Sequence, residues 1–182
     1  FKRYYHECTR YREAMMRRII AMRPAAVILS SWDHYLPADG TTSDWQVTPE
    51  HWRRGLRRTY ARLAAAGIHT VAMRDVPRTP FDVPSCLSRR AAGLPFAGTC
   101  VYEREGSLSP VAIAAQNVAA RGLPVRVVDM TDQICATPRC EVVRNGVVVF
   151  TDDNHLTASF SRSLAPVLGA RIARAMHVDA SR

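Results

Sequence analysis

Gly146-Val147-Val148-Val149-Phe150 runs directly into Thr151-Asp152-Asp153-Asn154-His155-Leu156-Thr157. The first run is β-branched and aromatic after its glycine, a composition that favours strand. An amphipathic segment begins near Ala158, with Phe160, Leu164, Val167, Leu168 and Ile172 on one helical face. The polar stretch between them therefore sits at a strand-to-helix junction. An Asp and a His three residues apart can point into one site there. Asp152 is expected to accept a hydrogen bond from Nδ1 of His155, fixing the tautomer and leaving Nε2 as a base. Such a base serves a nucleophile, yet no serine of the chain lies in a Gly-x-Ser-x-Gly elbow. A complete triad within the chain is not expected.

Upstream, the pattern alternates. Tyr4 to Met22 is helical, with Cys8, Tyr11, Met15, Ile19 and Met22 recurring every three or four residues. Ala25 to Ser30 is a short apolar run that suits a strand buried on both faces of a parallel sheet. Thr48-Pro49-Glu50 opens a helix that Gly67 stops. Ile68 to Met73 is the next strand, and Val125 to Asp129 the third, after a helix from Ser109-Pro110 to Arg121. Asn145-Gly146 between β-branched runs signals a hairpin. Residues 80–108, broken by prolines and glycines, read as a long irregular loop, and such a loop should be functional or pinned. Pro166 should kink the last helix or split it. The order implies a three-layer α/β/α sandwich with a mainly parallel sheet and a small β-hairpin near residues 141–150. It begins on a helix, and on Phe1 rather than Met, so residues 1–182 are expected to form one domain whose first strand lies upstream.

The length suffices for a full core, and 47% hydrophobic residues argue against disorder. No apolar run approaches the roughly 20 residues of a membrane span. The net charge of +9 comes almost wholly from arginine, Lys2 being the sole lysine. These arginines are spread along helices rather than clustered with aromatics, so nucleic-acid binding is not the expected partnership. Cys135 and Cys140 bracket a turn-like loop, and Cys86 and Cys100 bracket a Gly/Pro-rich segment. Two loop-closing pairs, Cys86–Cys100 and Cys135–Cys140, indicate an oxidising compartment, and neither has the two-residue spacing common in structural zinc sites. Cys8 is left over, either a free thiol or the partner of a cysteine outside these residues.

Ser31-Trp32-Asp33-His34-Tyr35 follows the first strand, at the carboxyl edge where open α/β sheets bind ligands. Trp32 suits an acyl or sugar pocket as well as strand-end packing, and Tyr35 suits packing. His34 beside Asp33 makes a poor second dyad, because adjacent strand residues point to opposite faces. His6, His51, His69 and His177 have no carboxylate arrangement that marks them out.

Thr151 to Thr157 resembles the last motif block of SGNH hydrolases. The whole chain resembles the SGNH domain fused to acyltransferase-3 membrane proteins of bacterial envelopes. The likeness takes in Cys8 before a helix, Ser30 to Tyr35, Asp75-Val76-Pro77, Asp82 to Leu87, and Cys135 to Cys140 before the hairpin. It implies an SGNH-like, flavodoxin-like fold and a Ser-His-Asp acyl-enzyme mechanism with no cofactor or metal. His155 would be the base and Asp152 its orienter. The Gly-Asp-Ser block of that family is absent here, so the serine is expected upstream, together with a cysteine that pairs with Cys8. Ser31-Trp32-Asp33 stands where the family places an Asn, so Ser31 and Trp32 mark the substrate or oxyanion region, and the oxyanion hole is expected to be atypical or to rely on backbone N–H groups. The resemblance also implies an extracytoplasmic domain tethered through an upstream membrane domain. That domain would deliver the acyl donor, most simply an acetyl group, for a cell-envelope glycan acceptor. An esterase of the same fold and a non-catalytic glycan-binding or scaffolding domain are the competing readings.

Overall fold

The computed structural model describes residues 5–33, 36, 47–95 and 98–177. Three parallel strands form its central sheet in the order β1 (Ala26–Leu29), β2 (His69–Met73) and β4 (Val125–Val128). Alternation along these strands decides which helix lies on which face. Val71 and Val128 face one layer, where Phe160, Leu164 and Leu168 of α6 (Ala158–His177) cover them. Ala72, Val127 and Leu29 face the other, under Tyr60 of α2 (Pro49–Ala65) and Ala119 of α4 (Pro110–Ala120). Met16 and Ile19 of α1 (His6–Met22) extend that second layer over Val27 and Leu63. The architecture is thus the α/β/α sandwich with a parallel sheet that the alternation implies.

Local chemistry starts and stops these elements. The Thr48 side chain accepts from the His51 amide at the head of α2, and Ser109 does the same for Ala112 at the head of α4. Gly67, at φ +71, lets the chain leave α2 in the left-handed region that other residues avoid. Asn145 and Gly146, both at positive φ, make the turn between β6 (Val143–Arg144) and β7 (Val147–Val148).

Residues 80–108 are more ordered than their prolines and glycines suggest. They contain α3 (Val83–Ala91), β3 (Val101–Glu103) and a 3₁₀ turn at Glu105–Ser107. Asp82 caps α3 by accepting from the Ser85 amide at 2.9 Å, and Pro84 falls in the first turn, where no helical N–H is lost. The expected irregular loop is corrected accordingly: a proline read as a breaker is a helix starter. α6 also runs unbroken through Pro166, so the expected split is absent. Its apolar face packs over the sheet on both sides of the proline, with Leu164 before it and Leu168 and Ile172 after it.

Two disulfides pin the layer beneath α6. Cys86 of α3 bonds Cys100 beside β3, with Cα atoms 5.8 Å apart. Cys135, after α5 (Thr131–Ile134), bonds Cys140 of β5 (Arg139–Glu141), with Cα atoms 5.3 Å apart. β3 and β5 pair antiparallel, Tyr102 opposite Cys140, so both bridges act on one two-stranded sheet. Cys8 is an exposed free thiol among the described residues.

Candidate active site

The loop between β7 and α6 is tied at both ends. Phe150 and Leu156 form an isolated antiparallel bridge, and the Thr151 amide donates to the His155 carbonyl at 2.7 Å. The Thr157 hydroxyl accepts from the Phe160 amide at 3.1 Å, capping α6, and donates to the Val148 carbonyl at 2.6 Å. Phe150 is fully buried and meets Tyr102 edge-on, ring centroids 6.0 Å apart. Five residues therefore project from a rigid base.

Asp152 organises them. Its Oδ1 accepts from the backbone amides of Asn154 at 2.8 Å and His155 at 2.7 Å. Its Oδ2 lies 2.6 Å from Nδ1 of His155. One carboxylate thus shapes the turn and aims the ring. Burial pulls the Asp152 carboxyl upward, but the two amides and the imidazole outweigh it and hold it down at about 2. The same hydrogen bond, then the Asp152 charge, raises His155 above its ordinary value. The His155 side chain is 73% exposed, so Nε2 is open to a ligand.

Neighbouring segments hold this loop from outside. The Thr79 amide donates to the Asp153 carbonyl at 2.7 Å, and the Val83 amide to the Asp152 carbonyl at 3.3 Å. Nε of Arg78 donates to Oδ2 of Asp153 at 2.8 Å. Trp32 approaches from the end of β1: with the Asn154 amide oriented by its surroundings, the indole N–H donates to its oxygen at 3.1 Å. Trp32 and the Asp152–His155 loop therefore share one edge of the sheet. Ser31, beside Trp32, lines a cavity of about 480 Å³ between α1, α2 and the end of β1.

Asp33 and Asp75 complete the edge. The Asp33 amide donates to Oδ2 of Asp75 at 2.9 Å, and the Val76 amide to Oδ1 at 2.9 Å. Burial, then the charge and hydrogen bond of Asp75, pushes the Asp33 carboxyl up to about 7. Asp75 in turn is near enough to add to the proton affinity of His155. Sequence reasoning did not single out this pair, Asn154 or Arg78. The available signal was an acid just past each parallel strand, at Asp33, Asp75 and Asp129.

His34, Tyr35 and the His177 side chain lie outside the described residues. His51 is exposed beside Thr48, and His69 lies within β2, both apart from the dyad. Among the described residues no group of three His, Cys, Asp or Glu side chains is placed to hold a metal ion. Among them, too, no helix is long and apolar enough to cross a membrane.

The exposed imidazole aimed by a carboxylate, at the carboxyl edge of a parallel sheet, is an arrangement able to move protons for acyl transfer. Among solved structures the chain is similar to the periplasmic domain of the lipopolysaccharide acetyltransferase of Salmonella ser. Paratyphi A. The TM-score is 0.62 at 16% identity, over 88% of this chain and 61% of that one. This likeness is one of fold, and the chain spans under two thirds of that domain. No curated protein matches the chain. The family model described as "SGNH domain (fused to AT3 domains)" matches residues 1–170. With nearly its whole length so matched, the chain belongs to the SGNH domain family whose members are fused to AT3 domains.

Proposed function

We propose that this domain transfers an acyl group, most simply acetyl, to a hydroxyl of a cell-envelope glycan, with His155 as general base and Asp152 as its orienter. The observation that carries the reading is the 2.6 Å contact from Nδ1 of His155 to Oδ2 of Asp152, made while Oδ1 is occupied by two backbone amides. Among the described residues the hydrogen bonds of His155 engage Nδ1 and the main chain, which leaves Nε2 for a hydroxyl.

The nucleophile in this reading is a serine contributed from outside these residues. Nε2 of His155 takes the serine proton as Oγ attacks the acyl carbonyl. The same nitrogen returns that proton to the leaving group of the donor, giving an acyl-enzyme. An acceptor hydroxyl then attacks this ester, its proton passing to Nε2 and back to the released serine. Asp152 stays ionised throughout, consistent with its low pKa, and stabilises the imidazolium. Trp32, 45% exposed beside Asn154, would flank the acyl or sugar group, and the main chain around Ser31 and Trp32 would supply oxyanion donors. The donor would come from the attached AT3 membrane domain, which puts this domain on the extracytoplasmic side, where its two disulfides are stable.

One observation favours a second outcome at the same site. The open face of His155 admits water, and water in place of the glycan hydroxyl gives an esterase. Acylation of the full-length protein with a labelled acyl donor, chased with glycan or with buffer, tests both. Label passing to glycan supports transfer. Release only as free acid supports the esterase. A protein that binds glycan yet never takes label contradicts both and supports a binding domain.

A further inference from the structure

Asp33 and Asp75 lie 42 residues apart in sequence but meet where β1 and β2 leave the sheet, the Asp33 amide donating to Oδ2 of Asp75 and the Asp33 side chain within hydrogen-bonding reach of the Asp75 side chain. Both are half-buried, and a cavity of about 20 Å³ beside them is lined by Ser31, Trp52 and Gln116. Two carboxylates rarely share such a place unless a cation or a proton separates them. Arg74 lines the same cavity, but its guanidinium is drawn towards other partners, with Nε 3.0 Å from Oδ2 of Asp129 and Nη2 donating to Asn117 at 3.1 Å. The facing residues of α2 and α4, Trp52, Ala112, Ile113 and Gln116, carry no charge. From the loop before α6, the titratable group that senses Asp75 is His155. Among the described residues a proton is thus the separating charge. Asp75 is the acceptor by geometry, because both its oxygens already take backbone N–H groups.

We propose that Asp33 and Asp75 form a carboxylic acid–carboxylate pair that holds the ends of β1 and β2 together, and that Asp33 is thereby a positioning residue for the His155 site. The route is short. Asp33 is fixed to Asp75, its neighbour Trp32 donates to Asn154, and Asn154 lies between Asp152 and His155. The one proton is held by Asp33 and donated to Asp75. Loss of that proton places two negative charges in contact and loosens Trp32 from the dyad loop.

The positioning role rests on the acyl-transfer reading, but the pair itself does not. Turnover in the full-length protein should therefore show an alkaline limb as Asp33 ionises. Asp33→Asn keeps a permanent donor and should remove that limb. Asp33→Ala keeps none and should lower kcat on the order of 10- to 100-fold with KM little changed, the scale of a small misplacement of reacting groups. Asp33→Asn should restore most of that loss. Independently of turnover, infrared difference spectra of wild type against Asp33→Asn should show a protonated carboxyl band at pH 6 that is gone by pH 9. Absence of that band at pH 6 overturns the pair. A visible band with Asp33→Asn as impaired as Asp33→Ala overturns the positioning role. A visible band in an enzyme whose His155→Ala variant is fully active would retain the pair and discard the acyl-transfer reading instead.

Discussion

Arg78 grips the carboxylate of Asp153, Nε 2.8 Å from Oδ2, and so fastens the loop carrying His155 to the segment that leaves β2. The Arg78 side chain is 49% exposed and that of Asp153 32%. Ion pairs of this kind contribute roughly 0–1 kcal/mol to stability. Arg78→Ala should therefore leave the melting temperature within a few degrees of wild type. Acyl-transfer rate should nevertheless fall several-fold, because the loop gains freedom where Nε2 must be held in place. Equal, large losses of stability and rate would show that Arg78 serves the fold and not the loop.

The acid side of the pH profile should belong to His155. Its raised pKa means that the ring is protonated, and useless as a base, up to a pH above the ordinary histidine value. Activity should rise with pH through that point. Asp152→Asn weakens the hydrogen bond that is the chief cause of the shift and removes the charge that is the second, so it should move this limb to lower pH as well as lowering the plateau. Rate against pH for both proteins checks the direction, and an unmoved limb would contradict it.

Asp33 should also leave its mark on stability. Its folded pKa, about 7, lies above the unfolded value, so the folded state binds the extra proton between those two points. Stability contributed by this group is greatest below the unfolded pKa and is lost as pH rises towards 7. Melting temperature should thus fall from pH 4 to pH 8 more steeply in wild type than in Asp33→Asn. Parallel curves would exclude a proton shared in the folded state.

Tyr102 offers a test of the core under the site. Its hydroxyl is buried with no hydrogen-bond partner among the described residues, and burial pushes its pKa up to about 12. Tyr102→Phe should keep the edge-on packing with Phe150 and remove the unpaired group. A gain of about 1 kcal/mol in unfolding free energy is expected, read from denaturant melts. Breaking the Cys86–Cys100 bridge that anchors this layer should act oppositely, costing ~2–4 kcal/mol.

What could be read from the chain was largely local. Thr48 and Ser109 cap helices three residues on, and Asn145-Gly146 closes a two-residue turn. The Asp152–His155 contact also spans only three residues, within reach of turn chemistry. The alternation of apolar runs and amphipathic segments was enough for the layered sheet, because each strand's two faces meet different helices. α3 was missed because Pro84 breaks a helix or begins one depending on whether a cap precedes it, and Asp82 does. Asp33–Asp75, Trp32–Asn154 and Arg78–Asp153 join segments tens of residues apart. Their pairing depends on which strands lie side by side in the sheet, a relation that no short window contains.

The central claim is that His155 moves the proton in acyl transfer, and its replacement by alanine in the full-length protein tests this most directly. The ring is exposed, so His155→Ala should melt like wild type. Acyl-enzyme formation, followed with a labelled donor, should fall on the order of 10²–10⁴-fold, the range general-base catalysis supplies. A folded His155→Ala protein that is acylated at the wild-type rate would contradict the account.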